Sequence, residues 1–354
     1  MLLATEASHR AEEQDMSHNI TATDNLFVVR EPAWHGLGTV LNEYPTRAEA
    51  QKLAHNWEPV TTPLFRKEIT VSDTGEIRET FVPVETHHEV TRSDNHQFLG
   101  VTTTTTSIVK NEEMYDIAEV IQGDSGDVKF ETGGSLKGGK KVWLLLRLNE
   151  PLMIKGDKET ATVMYYALQN SHDGDGSFRG QAVATRIVCD NTAQMADLDA
   201  TQRGTQFVFR HTSTIQERIE DAKNALAGWR DGVLNYNLQM EHLSSIRVTS
   251  DQVEQFRNTL IPVPNAKLVS DRVMNNVENA RNDFDLVLAS QTSEFISGTS
   301  YGLLQAAIEY GQHYRNTRSK TELGRIENRF QRAYLDPFIY TSSAVEILDL
   351  IGAS

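Results

Sequence analysis

A histidine and two carboxylates form the first group of residues that could do chemistry. His172, Asp173 and Asp175 are nearly consecutive, and such clusters often supply ligands for metal ions. The surrounding string Ser-His-Asp-Gly-Asp-Gly is also ordinary turn chemistry, because Asp and Gly provide local hydrogen bonds and positive φ angles. Neither the zinc-protease spacing nor the EF-hand ligand pattern occurs. A metal-dependent enzyme using this polar site is therefore the weaker interpretation.

A lysine-rich, glycine-rich segment is the second group. Lys137, Lys140 and Lys141 surround a glycine pair at the tip of a predicted β-hairpin, and Arg179 and Arg186 belong to the neighbouring hairpin. No phosphate-loop or dinucleotide-binding glycine pattern occurs, so a nucleotide-binding fold is not supported. A basic hairpin tip can instead follow the phosphate backbone of a single strand, while aromatic side chains stack on its bases. Five aromatic residues are close in sequence: Phe130, Trp143, Tyr165, Tyr166 and Phe178.

The only cysteine, Cys189, is the third candidate. Its position after Ile187 and Val188 is more typical of a small buried packing residue than of a nucleophile. We therefore assign no catalytic residue and expect no cofactor. A single cysteine excludes an intramolecular disulfide, which favours a reducing compartment and predicts a cytoplasmic protein.

Charge and hydropathy limit the classes of partner. The 354-residue chain has a formal net charge of −15, which argues against a protein that coats duplex DNA through its overall charge. A nucleic-acid site would have to be a local basic groove on an acidic body. No apolar run approaches the roughly 20 residues that span a bilayer, so we expect no membrane partner.

These candidates require a framework, and the sequence predicts an α+β fold. Apolar and β-branched runs separated by turns predict an antiparallel β-sheet core built from hairpins over about residues 60–190. Long packed helices are predicted in the C-terminal half. The expected organisation has four parts: a flexible tail over 1–24, a sheet domain over 25–212, a helical region over 213–335 and a C-terminal segment over 336–354.

Several local signals predict individual elements. Thr46 and Glu49 form a capping box that opens a short helix. The string Ser72-Asp-Thr-Gly75 predicts a hairpin turn. Asn111 is predicted to cap a second helix, with Met114, Ile117, Ala118 and Ile121 on its apolar side. Asn191 and Thr192 predict the start of a short helix or turn.

A long apolar seam runs over residues 214–243, repeating at spacings of three and four. The pattern indicates a long helix that packs either on its own domain or on another subunit. The second alternative predicts a homo-oligomer formed through helix 214–243. The seam contains Ile215, Ile219, Ala222, Leu226, Trp229, Val233, Tyr236, Met240 and Leu243.

Five motifs taken together resemble an uncharacterised phage/plasmid-like family that is spread by lateral gene transfer and contains a domain of unknown function. The resemblance covers about residues 25–335. It implies residence on phages, prophages or plasmids, where recombination and single-strand-binding genes are frequent neighbours, but it supplies no known activity or catalytic residues. In outline, a sheet with a basic hairpin and packed helices is also similar to ring-forming single-strand annealing proteins. The motifs are Trp34–Gly38, Gly133–Trp143, Asn170–Gly174, Arg186–Thr192 and Tyr301–Tyr310.

The favoured function is a non-enzymatic, mobile-element DNA-metabolism protein that binds single-stranded nucleic acid. Lys137, Lys140, Lys141, Arg179 and Arg186 would contact phosphates. The first alternative is an anti-defence or host-takeover protein that acts by contact with a host protein, because an acidic protein can occupy basic sites on host enzymes. The second alternative is the metal-dependent enzyme described above.

Overall fold

The computed structural model describes the chain in segments. Within them, no helix is both long and apolar enough to cross a bilayer. The described residues are 26–30, 38–123, 128–148, 153, 162–174, 177–186, 191–194, 206–209, 217, 220, 234–291, 295–315, 319, 321, 324–325, 328, 332 and 338–354.

Most of the strands lie in the first two thirds of the chain. The larger sheet has the strand order β10-β9-β8-β7-β6-β1-β2, with β11 also pairing with β9, and the smaller sheet has the order β3-β4-β5. The strands are β1 (Phe27–Val29), β2 (Thr39–Leu41), β3 (Pro59–Val71), β4 (Ile77–Arg92), β5 (Phe98–Thr103), β6 (Val128–Leu136), β7 (Lys141–Leu148), β8 (Thr162–Ser171), β9 (Phe178–Arg186), β10 (Asn191–Gln194) and β11 (Gln206–Phe209).

Seven helices complete the described elements, and five of them follow the strands. The predicted α+β class, with hairpin-built antiparallel strands followed by helices, is therefore confirmed. The helices are α1 (Arg47–Ala54), α2 (Asn111–Gln122), α3 (residues 234–245), α4 (Ser250–Leu260), α5 (Asp271–Ser290), α6 (Ser300–Glu309, continued by a π-helical turn over Tyr310–Tyr314) and α7 (Phe338–Leu350).

Local sequence signals locate several of these elements. The Thr46 hydroxyl accepts from the Glu49 N–H and the Glu49 carboxylate accepts from the Thr46 N–H, so the predicted capping box opens α1. The predicted turn at 72–75 joins β3 to β4, which pair in antiparallel register down to Val71 opposite Ile77. These features depend on neighbours in sequence, which is why the sequence predicts them.

Two local predictions are wrong. Asn191 and Thr192 do not start a helix or turn; they belong to β10, because β9 offers an antiparallel partner from Asn191 opposite Arg186 onward. Asn111 is the first residue of α2 rather than its cap, which is Lys110. β1 and β2, which precede the segment predicted to form the antiparallel sheet, pair in parallel.

The chain divides into two compact units that interleave in sequence. The first contains residues 1–146, 168–180 and 208–222, and the second contains 147–167, 181–207 and 223–354. The predicted boundary between 212 and 213 lies outside the described residues, as does the predicted tail over 1–24.

The second unit has a helical aromatic core. Phe256 of α4 stacks on Phe284 of α5 at 6.1 Å between ring centroids, and Tyr310 meets Phe284 edge-on at 6.2 Å. An ion pair of 2.5 Å between Arg257 and Asp285 joins the same two helices. These contacts account for the predicted packing of long helices in the C-terminal half.

The described part of the apolar seam faces this unit's own interior. Tyr236, Met240 and Leu243 of α3 are buried in the single chain, whereas Leu234 and Leu238 are exposed. The remaining seam residues lie outside the described residues. At its C-terminal end, the seam therefore packs on its own subunit, and assembly through helix 214–243 stays a prediction.

Candidate functional site

The three lysines of the basic hairpin lie in one tight turn between β6 and β7, which we call the lysine turn (Lys137–Lys141). Lys137, Gly138 and Gly139 have successive φ angles of +55°, +70° and +98°. Gly138 and Gly139 adopt left-handed φ angles without a steric penalty. Lys137 has a Cβ atom, so its left-handed conformation is strained. The Lys137 side chain is exposed, and those of Lys140 and Lys141 are half-buried.

An exposed aromatic ring lies beside this turn. The Lys140 Nζ is 5.8 Å from the centroid of Phe98, the first residue of β5, and Phe98 is 49% exposed. An ammonium at this distance from an aromatic face is attracted by the negative face of the ring. Among the ion pairs that join described residues, none involves Lys137, Lys140 or Lys141. The surface therefore combines unneutralised cations with an accessible ring.

A buried cluster of four side chains supports the lysine turn: Trp57, Arg92, Asn111 and His172. The Arg92 guanidinium lies 4.3 Å from the Trp57 ring centroid and donates to both carboxylate oxygens of Asp94, at 2.9 and 2.7 Å. This bond to Arg92 is the main reason that the pKa of Asp94 is lowered. A Cβ added to Gly139 would lie 2.8 Å from the Trp57 ring, so glycine is required where the turn crosses the cluster.

His172 connects the cluster to the turn. Its backbone N–H donates to the Lys140 carbonyl at 2.8 Å, and its ring meets Trp57 edge-on at 5.6 Å. The Asn111 amide nitrogen donates to the Trp57 carbonyl at 2.7 Å, which leaves the Asn111 oxygen facing the His172 Nε2 at 3.0 Å. Since an amide oxygen only accepts, Nε2 carries the proton and donates. His172 therefore acts as a structural link between α2 and the lysine turn.

Glu58 fixes the start of α2 from a different element. Its carboxylate accepts from the backbone N–H groups of Asn111 and Glu112 at 2.7 and 3.0 Å. A carboxylate is favourable there, because the first N–H groups of a helix have no internal partners. Burial raises the pKa of Glu58, and the two backbone donors oppose that rise. Asn111, predicted as a cap, is thus itself held by Glu58.

The predicted polar site is a packed turn. Ser171 donates to Asp173 at 2.5 Å, and the Asn170 amide donates to the Val109 carbonyl at 2.9 Å. Gly174, at φ +86°, passes so close to the Val101 carbonyl that no side chain fits there. Asp175 lies outside the described residues. Within the described residues, no three His, Cys, Asp or Glu side chains are grouped to hold a metal ion.

The two predicted arginines differ from the lysines in their surroundings. Arg179 is half-buried on β9, and its guanidinium lies against the side-chain oxygen of Gln169 in the amide orientation that satisfies both groups. Arg186 is the last residue of β9, and its side chain lies outside the described part, as does Cys189. The structure therefore brings together Lys137, Lys140 and Lys141 and supplies a ring, Phe98, that the sequence did not single out.

The loop over residues 93–97 contacts the lysine turn and also contains a residue with a strained backbone. His96 has a φ of +58° in the loop over residues 93–97, and a Cβ on Gly138 would collide with the side chain of Gln97 from that loop. Left-handed non-glycine residues therefore occur in two neighbouring loops, at His96 and Lys137. Backbone strain of this kind costs about 1–3 kcal/mol per residue and concentrates at functional sites. No local sequence signal indicated either residue.

A family comparison covers this surface. The family model described as a domain of unknown function (DUF932) matches residues 98–333, more than half of the chain. The chain belongs to the DUF932 family. The DUF932 match begins at Phe98 and includes the lysine turn and the turn at 170–174, whereas β3 and β4 precede it entirely. No curated protein and no solved structure matches the chain.

Proposed function

We propose that this DUF932 protein binds single-stranded nucleic acid, without catalysing a reaction, on the surface formed by the lysine turn and Phe98. The observation that carries the proposal is the Lys140 ammonium beside the exposed Phe98 ring, 5.8 Å from its centroid. Phosphates would contact Lys137, Lys140 and Lys141, and a base would stack on Phe98. Cations that follow the backbone beside an aromatic stacking platform are the recurring arrangement for single-strand binding.

The charge distribution favours a single strand over a duplex. Stacking on Phe98 requires an unpaired base with an exposed face, which a duplex interior does not offer. The net charge of −15 opposes a wide contact with a polyanion, so binding must be confined to a small basic area. Three lysines in one turn form such an area.

The buried cluster favours binding by reducing the entropy that binding costs. Gly139 rests on Trp57, and the Lys140 carbonyl accepts from the His172 N–H, so the backbone of the turn is fixed before any ligand arrives. A fixed turn loses little freedom when it binds, and more of the phosphate attraction remains as affinity. The left-handed φ of Lys137 supports the same reading, because strain is retained where it positions a functional group.

Mobile-element origin and a role in recombination or annealing form the finer part of the proposal. They rest on the resemblance to phage/plasmid-like proteins and on the single-strand surface. Phosphate contacts by Arg179 and Arg186 stay predictions, because Arg179 lies against Gln169 and the Arg186 side chain lies outside the described residues. The protein-contact and metal-enzyme alternatives make different predictions, because neither needs the lysine turn.

Fluorescence anisotropy with a labelled oligo(dT) at low salt tests the proposal. The triple variant Lys137→Ala, Lys140→Ala and Lys141→Ala is compared with a control of equal charge change, Lys52→Ala, Lys110→Ala and Lys267→Ala. All three control lysines are exposed and lie outside the turn. We expect the turn variant to lose about 30-fold in affinity and the control less than about 3-fold, because only the former removes direct phosphate contacts.

Two results would decide against single-strand binding. One is absence of any anisotropy change at low salt, where phosphate contacts are strongest. The other is an equal loss in the two triple variants, which would mean that only overall charge matters. Recovery of a host protein together with absence of DNA affinity would select the protein-contact alternative. Stoichiometric metal in the purified protein would favour the enzyme alternative.

A further inference from the structure

Strands β3 and β4 extend beyond the rest of their sheet. β5 pairs with β4 only from His87 to Thr91, whereas β3 pairs with β4 out to Val71 opposite Ile77. Residues 65–83 are therefore a two-stranded ribbon joined by the turn at 72–76, which we call the β-arm. An isolated two-stranded hairpin is at best marginally stable in water, so such an arm usually needs a covering layer.

One face of the β-arm is apolar and uncovered. Residues paired directly across an antiparallel ladder point to the same side, and alternate residues along a strand share that side. Five large apolar side chains lie on this face and are 56 to 67% exposed. They are Phe65, Ile69, Val71, Ile77 and Phe81. The opposite face carries Arg66, Glu68, Thr70, Arg78, Thr80 and Val82.

The pattern is that of a half-buried strand pair whose apolar layer is left exposed in the part of the chain that the structure describes. At roughly 100 Å² of exposed area for each of the five side chains, the patch presents about 500 Å². Isolated exposed apolar residues are ordinary, but a contiguous patch of this size marks an interaction surface. The β-arm shares no residue with the lysine turn, and it ends before the residues that the family model matches.

The charges on the apolar face indicate which partner fits. Its only charged residues are Lys67 and Glu79, which form an ion pair of 2.6 Å in the middle of the patch. The face therefore carries no net charge on a chain whose net charge is −15. A nucleic acid or an acidic partner would find no unpaired cation here, and a basic partner would find no unpaired carboxylate.

A second copy of the chain satisfies this face. In a two-fold interface the same patch is used by both copies, so each copy supplies one cation and one anion, Lys67 and Glu79, while the apolar side chains pack together. Two copies would bury about 1,000 Å², near the lower bound for a specific interface, which predicts a dimer that depends on concentration. We propose that the apolar face of the β-arm is the interface of a homodimer. This inference does not rest on nucleic-acid binding.

Sedimentation velocity and multi-angle light scattering on the full chain test the dimer. Wild type should change from 39.7 kDa to twice that mass over the micromolar range. The variant Ile69→Lys with Phe81→Glu should be monomeric, with its dimer dissociation constant raised about 100-fold. Each new charge lies opposite a compatible charge, Glu79 or Lys67, so the ribbon itself keeps its cross-strand pairing.

A matched control changes the polar face instead. Thr70→Glu faces Arg78 and Thr80→Lys faces Glu68, so the control has the same kinds and number of new charges. It should dimerise like wild type. A wild type that stays monomeric at about 100 µM, or a control that dissociates as much as the apolar-face variant, would overturn the inference.

Cysteine cross-linking keeps the inference testable if the apolar-face variant fails to fold. In a Cys189→Ser background, Phe81→Cys should form an intermolecular disulfide under mild oxidation, and Thr80→Cys should not. Equal cross-linking at both positions would contradict the interface. If the wild type is monomeric and dimerises only after residues 1–25 are deleted, the patch is covered by that segment and the homodimer is wrong for the full chain.

Discussion

The buried residue His55 provides the clearest prediction at the scale of single side chains. Its Nε2 lies 2.8 Å from the Gly134 carbonyl and its Nδ1 lies 2.9 Å from the Tyr115 hydroxyl. A carbonyl only accepts, so Nε2–H donates to Gly134 and Nδ1 accepts from Tyr115. Burial, and to a smaller extent the charge of Arg92, lower the pKa of His55 to about 4, against the opposing effect of the hydrogen bond to Gly134. The imidazole is therefore neutral in the folded protein.

This neutral state makes the stability depend on pH. Between the unfolded pKa of about 6.5 and the folded pKa of about 4, the unfolded chain binds a proton that the folded chain excludes, so stability falls as pH falls. The free energy of unfolding should drop by about 2 kcal/mol from pH 7 to pH 5 through this residue. Urea unfolding of wild type and of His55→Gln measures the difference in pH dependence. A His55 resonance that titrates near 6.5 in the folded protein would contradict it.

Arg92 tests the support beneath the lysine turn. Its buried guanidinium makes two bonds to Asp94 and stacks on Trp57, which a lysine ammonium cannot do together. Arg92→Lys should lower the free energy of unfolding by about 2–3 kcal/mol, measured by chemical denaturation. The control Arg66→Lys changes an exposed arginine on the β-arm and should cost less than about 0.5 kcal/mol. Similar losses in the two variants would mean that the stacked pair carries no special energy.

Among the structural elements, the lysine turn is the one whose backbone conformation depends most on its glycines. Gly139→Ala should lower the free energy of unfolding by about 2 kcal/mol or more, because the new Cβ would lie 2.8 Å from the Trp57 ring at a φ of +98°. Gly75→Ala is a matched control with a φ of +81° and open space around it, and should cost about 1 kcal/mol. The midpoint temperature of thermal unfolding and the affinity for an oligonucleotide should both fall for Gly139→Ala. If Gly139→Ala costs no more than Gly75→Ala, the contact of the turn with the buried cluster does not stabilise the protein.

Some secondary-structure elements can be predicted from the sequence, and others cannot. Capping boxes and tight turns depend on residues three or four apart, so α1 and the β3–β4 turn were predictable. The strand β10 and the parallel pairing of β1 with β2 depend on pairing with another strand, which the local composition could not indicate. The exposure of the β-arm was also hidden, because an alternating strand looks the same whether or not another layer covers it.

The candidate site also has one part that the sequence predicts and another that it does not. The lysines and glycines of the turn were visible as a local cluster, and the structure keeps them together. Trp57, Arg92 and Asn111 were not connected with His172 by any pattern, because they come from separate elements up to 115 residues apart in sequence. The glycine pair Gly138-Gly139, which can adopt positive φ angles without a steric penalty, is the sequence signal that could have indicated such a turn. The ring of Phe98 lacked any signal of its own.

At the scale of the whole molecule, two surfaces have separate proposed functions. The lysine turn with Phe98 would hold a single strand, and the β-arm would join two copies. A dimer would present two lysine turns to one strand, which raises the avidity for long oligonucleotides without any new contact. Ile69→Lys with Phe81→Glu should therefore weaken binding to a long oligonucleotide more than to a short one, as measured by anisotropy at two lengths. A loss that is equal at both lengths would separate dimerisation from binding.

The salt dependence of oligo(dT) binding is the sharpest test of whether the three lysines contact phosphates. Each phosphate neutralised on a single strand contributes about −0.7 to the slope of the logarithm of affinity against the logarithm of salt concentration, so the three lysines predict a slope of about −2. The triple lysine-turn variant should reduce that slope nearly to zero, and a duplex of the same length should bind more weakly than the single strand. A slope unchanged by the triple variant, or tighter binding to the duplex, would contradict the account.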